Sequence, residues 1–258
     1  MQPTRRVDQQ LLAQGLAPTR SAAQRLVDQG AVQWQGPKGW TTVRKAGEAL
    51  PAGTVFKLLD DAETRWVSRA GLKLEGALKH AADLNATGLI CLDIGQSTGG
   101  FTDVLLARSA AKVVGVDVGH GQIHQRIQDH AQVAVIEGVN ARYLTPEDLG
   151  EHLPEGGFDL VVGDLSFISL TLVLPALVPL VGREGQLLML VKPQFELQPA
   201  QIGKGGLVKD ASSYQEVEQR IRLACTELGL HRLDYFESPI AGGDGNREFF
   251  VRAHAPAL

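Results

Sequence analysis

Four ionisable residues, far apart in the chain, stand at the ends of predicted elements and together suit a proton-transfer task. Lys73 lies in Ser68-Arg-Ala-Gly-Leu-Lys-Leu74, just before the first strand of the main body, and Asp164 in Gly163-Asp-Leu-Ser-Phe-Ile-Ser169. Lys192 lies in Leu190-Val-Lys-Pro-Gln-Phe-Glu196, and Glu248 follows the turn Gly242-Gly-Asp-Gly-Asn246. Singly, each has an ordinary explanation: a solvated strand end, a helix cap, a surface charge. Converging on one sheet edge, two ammoniums and two carboxylates form a coupled network. A neighbouring ammonium lowers a lysine's pKa and the acids raise it, and the balance can leave one lysine able to accept a proton. A base of that kind suits a sugar hydroxyl, a weak nucleophile that must lose its proton as it attacks an activated methyl group.

A second cluster has the pattern of a ligand site. The apolar run Leu89–Ile94 carries Asp93 near its end and runs into a turn with Gly95, Gly99 and Gly100, followed by a helical segment. This reads as a strand feeding a helix N-terminus, where backbone N–H groups hold a polar ligand. The dinucleotide spacing G-x-G-x-x-G is absent, and Asp93 would repel a pyrophosphate but suit an ammonium. A second apolar strand, Lys112–Asp117, ends in another acid, placed to hold a ribose diol. Ammonium at one acid and ribose at the other describe S-adenosylmethionine. The expected cofactor contacts are Asp93, Gly95, Ser97, Thr98, Gly99, Gly100, Phe101, Asp117, Val118, Asn140 and Asp164, although for Phe101 a place in the core is the favoured explanation. The loop after Gly163 lacks the prolines common in enzymes that methylate exocyclic amines. Neither Cys91 nor Cys225 is placed for C5 chemistry. No metal-ligand spacing is present.

These residues need an open α/β sheet to bring them together. Predicted strands are Leu89–Ile94, Lys112–Asp117, Gln132–Ile136, Asp159–Gly163, Gln186–Val191, Leu233–Pro239 and Glu248–Arg252. Predicted helices are Thr102–Arg108, Gln122–Gln128, Leu170–Val181 and Tyr214–Leu228. The alternation predicts a Rossmann-like, mostly parallel seven-stranded sheet, with one of the last two strands antiparallel. Ahead of it, helices at Val7–Gln14 and from Thr19 to Gly30, with short strands Ala31–Trp34, Thr41–Val43 and Thr54–Leu59, make a small α+β unit. The expected boundaries are 1–60 for the small domain, 61–67 for a polar linker and 68–258 for the main domain.

The chain has 258 residues and a net charge of −4. Residues 1–80 carry 12 Lys+Arg against 7 Asp+Glu, so a basic head sits on an acidic body and points to a polyanion. Arg5, Arg6, Arg20, Arg25, Arg44, Arg69 and Lys204 are the candidate phosphate contacts. Lys204 lies in a glycine loop, Gly203-Lys-Gly-Gly-Leu-Val-Lys209, that either closes over RNA or serves as a connector. The polar start of the chain and the prolines at 175 and 179 in the longest apolar stretch argue against a signal peptide and a membrane span. Two cysteines without framework spacing fit a reducing, cytoplasmic setting.

The chain resembles the TlyA family of bacterial ribosomal RNA 2′-O-methyltransferases, also labelled haemolysin-like. Arg6-Val-Asp-Gln-Gln-Leu-Leu and Gly15 to Arg25 resemble the RNA-binding module of the fourth small-subunit ribosomal protein. Ser68 to Lys73, Asp93 to Asp103, Val116 to Gly119, Asn140 to Thr145, Asp164 to Leu170, Val191 to Glu196 and Ser238 to Glu248 resemble the FtsJ-like methyltransferase domain. The resemblance implies a Lys-Asp-Lys-Glu catalytic tetrad at Lys73, Asp164, Lys192 and Glu248, with Lys192 as base. It also implies cytidine 2′-hydroxyls of 16S and 23S ribosomal RNA, met in ribosomal subunits, as substrates, with no obligatory protein partner. Ala70 stands where the family commonly has Gly and Gln96 where it commonly has Ala, which puts a polar side chain at the cofactor turn. The rival classes are a non-catalytic RNA-binding assembly factor, a membrane-lytic protein and a nicotinamide-dependent oxidoreductase.

Overall fold

The computed structural model describes residues 3–37, 39–59 and 65–255. The chain divides into two compact units, Met1–Arg69 and Ala70–Leu258. The second unit thus starts two residues later than the expected 68. Residues 61–64 of the expected linker lie outside the described residues.

In the first unit, β1 (Thr4–Arg6) leads into α1 (Val7–Ala13) and then α2 (Arg20–Asp28). Thr19 caps α2, its hydroxyl accepting from the Ala22 amide at 3.1 Å. β2 (Val32–Gly36) pairs antiparallel with β3 (Gly39–Thr42) and β5 (Phe56–Leu58), while β4 (Ala49–Pro51) pairs with β1. Val7, Leu11, Ala22, Ala23, Leu26, Val32, Leu50 and Phe56 close a small core of their own. The β1–β4 ribbon was not predicted, because three-residue strands are too short to show alternation.

In the second unit, β6 (Ile90–Ile94), β7 (Lys112–Asp117), β8 (Val133–Glu137), β9 (Phe158–Gly163), β10 (Val181–Val191), β11 (His231–Glu237) and β12 (Phe249–His254) form one sheet. Its order is β11-β12-β10-β9-β6-β7-β8. Every pairing from β10 to β8 is parallel, and β12 runs antiparallel to both β10 and β11. This is the expected seven-stranded sheet with one reversed strand. Cys91 and Leu92 in β6, Leu160, Val161 and Val162 in β9, and Leu187 to Val191 in β10 are buried apolar runs, as strands covered on both faces require. The order reverses between β6 and β9, the place where open α/β sheets bind ligands beyond their strand ends. Because β12 is reversed, its first residues reach the same sheet edge as the last residues of β6, β7, β9 and β10.

Among the described residues, three helices of eight or more residues flank this sheet: α3 (Ala70–His80), α4 (Gly100–Ala107) and α5 (Ser212–Glu227). α3 was missed in the sequence, although Leu74, Ala77, Leu78 and Ala81, all buried, recur at helical spacing. Lys73 therefore sits in the first turn of a helix rather than simply ahead of a strand. The expected helix Leu170–Val181 is broken into turns at Leu170–Leu172, Leu174–Leu177 and Val178–Leu180. Pro175 and Pro179 lack the amides a continuous helix needs. β10 begins at Val181, with a register shift before Gln186. The expected helix Gln122–Gln128 shrinks to Gln125–Gln128.

Candidate active site

Lys73, Asp164, Lys192 and Glu248 meet at that sheet edge. Asp164 follows the last residue of β9, Lys192 follows the last of β10, and Glu248 precedes the first of β12. Lys73 Nζ lies 2.7 Å from Glu248 Oε2 and 3.3 Å from Asp164 Oδ2. Lys192 Nζ lies 2.6 Å from Asp164 Oδ1 and donates to Ser166 Oγ at 2.7 Å. Asp164 thus bridges two lysines with its two oxygens. All four side chains are at most 15% exposed. Burial works against the Lys73 charge, but the carboxylates of Asp164 and Glu248 outweigh it and hold the ammonium above the usual lysine range. Burial pushes Glu248 above the usual carboxylate range against the pull of Lys73.

The loop carrying Asp164 is anchored to the segment carrying Lys192. Buried Glu196 accepts from Ser169 Oγ at 2.5 Å and from the Leu170 amide at 2.6 Å. Between the anchors stands Phe167, 90% exposed, with φ +63°. An aromatic residue in left-handed backbone is strained, and such strain persists only where its surroundings enforce it. Its ring lies 5.1 Å from that of Phe195 in a tilted pair. No sequence signal marked Phe167 or Phe195.

Two clefts of about 500 Å³ each flank the network and share Ser166 and Phe167 as a common wall. The first is lined by Gly95, Ser97, Asp117, Val118, Asn140 and the segment Asp164–Ile168. The second is lined by Lys73, Lys192, Glu248, Phe195 and the glycine-rich stretches at Gly205–Gly206 and Gly243. Asp117 is clamped in the first cleft by two backbone amides, Ser97 to Oδ2 and Gly119 to Oδ1, each at 2.7 Å. Each oxygen keeps a second acceptor site for a ligand hydroxyl. Gly95 must be glycine. Its φ is +76°, and a Cβ there would meet the Asp164 carbonyl oxygen at 2.8 Å.

Several expected cofactor contacts fall elsewhere. Asp93 is 1% exposed and does not line the cleft; its Oδ2 accepts from Thr102 Oγ at 2.7 Å. Burial raises its pKa to about 7, against that bond. Gln96 does not enter the cofactor turn. Its side chain folds over Gly115, where a Cβ would overlap it, and donates to Thr102 Oγ at 2.9 Å. Phe101 is 2% exposed and stacks with Phe250 at 6.3 Å, which makes it core. Thr98, Gly99 and Gly100 do not line the cleft, and Gly99 is the N-cap of α4.

Of the candidate phosphate contacts, Arg5, Arg6, Arg20 and Arg44 are exposed in the first unit, and Arg25 and Arg69 are half-buried there. Arg6 pairs with Asp8 through two of its donors, at 3.0 and 2.8 Å, and stays exposed. Arg44 lines a groove with Gln24, Asp28 and Lys45. Lys204 is exposed in the second unit.

A switch-point cleft of this fold, with an acid at the second strand's end and a buried Lys–Asp–Lys–Glu network beside it, defines a methyltransferase. Residues 66–255 match the FtsJ-like methyltransferase family, and residues 5–36 match the S4 domain. The chain is 43% identical to the 16S/23S rRNA (cytidine-2′-O)-methyltransferase TlyA of Mycobacterium tuberculosis, over 95% of this chain and 88% of that one. A solved structure of a candidate hemolysin from Streptococcus thermophilus superposes with TM-score 0.73 at 39% identity, covering 99% of this chain and 90% of that one. A methyltransferase structure from Listeria monocytogenes, 12% identical, shares the fold at TM-score 0.52, over 71% of this chain and 99% of that one. The chain belongs to the FtsJ-like methyltransferase family and groups with the TlyA proteins.

Proposed function

We propose that this chain transfers the methyl group of S-adenosylmethionine to a ribose 2′-hydroxyl, that of a cytidine, in 16S ribosomal RNA, 23S ribosomal RNA or both. The observation that carries this reading is the Lys73–Asp164–Lys192–Glu248 network, set between two clefts with a shared wall. The first cleft fits the cofactor: its volume suits a ligand of that size, and Asp117 offers acceptors to a ribose diol. Gly95 lets the backbone approach closely, and Asn140 borders the far wall. When bound, the cofactor supplies an electrophilic methyl on a sulfonium, and the chain supplies alignment and a base.

Lys192 takes the 2′-hydroxyl proton. Lys73 stays charged and fixes both Asp164 and Glu248. Glu248 orients the network or the target ribose. Phe167 and Phe195 offer aromatic faces to a base in the second cleft. Arg5, Arg6, Arg20, Arg25, Arg44, Arg69 and Lys204 hold phosphates without reading sequence. The substrate is met in ribosomal subunits, in the cytoplasm, and the chemistry requires no second protein. The cytidine and ribosomal specificity rests on the likeness to the M. tuberculosis relative. The experiment is transfer of labelled methyl to ribosomal subunits, followed by mapping of alkali-resistant linkages. The expected result is label at a cytidine 2′-oxygen. Label on a base, or none, overturns the reading.

A further inference from the structure

The glycine loop and the turn ahead of Glu248 are joined by one buried side chain that the chemistry above does not use. Asn246 is 2% exposed. Its Nδ2 donates to the Gly206 carbonyl at 2.9 Å and to Asp244 Oδ2 at 2.8 Å, while its Oδ1 accepts from the Val208 amide at 3.0 Å. Its own backbone amide donates to Asp244 Oδ1 at 3.0 Å, and its carbonyl accepts from the Gly242 amide at 2.8 Å. Asp244 also accepts from Gln194 Nε2 at 3.0 Å, two residues past Lys192. The glycine loop is itself a tight hairpin, with the Gly203 amide donating to the Leu207 carbonyl at 2.7 Å and a bridge between Ile202 and Val208. Gly205, Gly206, Gly243 and Asp244 all line the second cleft.

We propose that Asn246 is a positioning residue for methyl transfer: it latches the Gly203–Val208 loop against the Asp244 turn and so builds the wall that receives the target nucleotide. The inference rests on the methyltransferase reading and adds what shapes its substrate cleft. The amide is the chemistry the place demands, because it must donate to two oxygens and accept from one amide at once. Neither a carboxylate nor an aliphatic side chain can do both. Lys204, at the loop's tip, is presented to the RNA only while the latch holds. Gln194, held by the same Asp244, ties the arrangement to the Lys192 segment.

The test compares full-length wild type with Asn246→Ala, Asn246→Asp and Gly206→Ala, the last perturbing the loop from outside the core. For Asn246→Ala, KM for ribosomal subunits should rise about tenfold, as expected for lost buried hydrogen bonds. kcat at saturating RNA and calorimetric affinity for S-adenosylmethionine should change little. Tryptic cleavage after Lys204 should quicken. Gly206→Ala, with φ +80° at that position, should reproduce the KM effect with only a modest fall in melting temperature. Asn246→Asp should show a KM defect that shrinks as pH falls and the introduced carboxyl regains a proton to donate. Wild-type KM in both Asn246→Ala and Gly206→Ala overturns the proposal, as does a parallel loss of kcat and cofactor affinity. If Asn246→Ala fails to fold, Gly206→Ala decides. If wild type transfers no methyl, it is the functional reading that fails, and unchanged tryptic cleavage at Lys204 would then sink the latch separately.

Discussion

Lys73 and Lys192 both reach Asp164, yet their surroundings divide the work. Lys73 is enclosed by two carboxylates that keep it charged, whereas Lys192 faces Asp164 and the Ser166 hydroxyl at the boundary of both clefts. Lys192→Ala should lower the methyl-transfer rate by roughly 10²–10⁴-fold, the usual worth of a general base, with cofactor affinity unchanged by calorimetry. Lys192→Arg should be comparably inactive, because a guanidinium does not give up its proton. An active arginine variant would remove Lys192 from the base role. Asp93 gives a prediction about stability. Its folded pKa, about 7, lies above the unfolded value of about 3.9. Between these values the folded chain holds a proton that the unfolded chain has lost. Stability from this group therefore falls as pH rises from about 4 to about 7, then levels off. Asp93→Asn should flatten the dependence of Tm on pH over that window, and parallel Tm curves would contradict the assignment.

At the scale of elements, strand ends do the positioning. Gly95 links β6 to the loop after β9 by bringing its Cα close to the Asp164 carbonyl. Gly95→Ala should lower Tm, since the left-handed backbone alone costs about 1–2 kcal/mol and the contact with the Asp164 carbonyl adds to it, and S-adenosylmethionine binding should weaken by calorimetry as the cleft wall shifts. The sheet was legible in the sequence because buried parallel strands are unbroken apolar runs, and Asp117, Asp164 and Lys192 could be placed at their ends by counting. α3 was hidden by the glycines and lysines within its apolar stripe, so Lys73 was found as a residue but not as part of a helix. The prolines at 175 and 179 were visible, yet an apolar run outweighed them in the reading. Asp93 misled because an acid at a strand end looks available, while here it is buried and takes a hydrogen bond from the Thr102 hydroxyl in the first turn of α4. Phe167 and Asn246 were illegible because left-handed backbone at a phenylalanine and a three-way amide latch are tertiary facts.

On the scale of the whole molecule, charge separates the tasks. The basic excess over residues 1–80 accompanies an S4 domain, and the acidic remainder carries the catalytic unit. Arg20→Glu and Arg44→Glu should weaken binding of ribosomal subunits and lower the slope of log affinity against log salt by about one per lost phosphate contact, with cofactor affinity unchanged. An unaltered slope would take these arginines out of the interface. The central claim is that one sulfonium methyl and one ribose oxygen meet beside Lys192. A crystal structure with S-adenosylmethionine bound tests this most directly. The account predicts the ribose on Asp117 and the methyl directed past Asp164 toward Lys192, at the wall formed by Ser166 and Phe167. A methyl directed away from Lys192, or a cofactor bound outside the Gly95–Asp117 cleft, would contradict it.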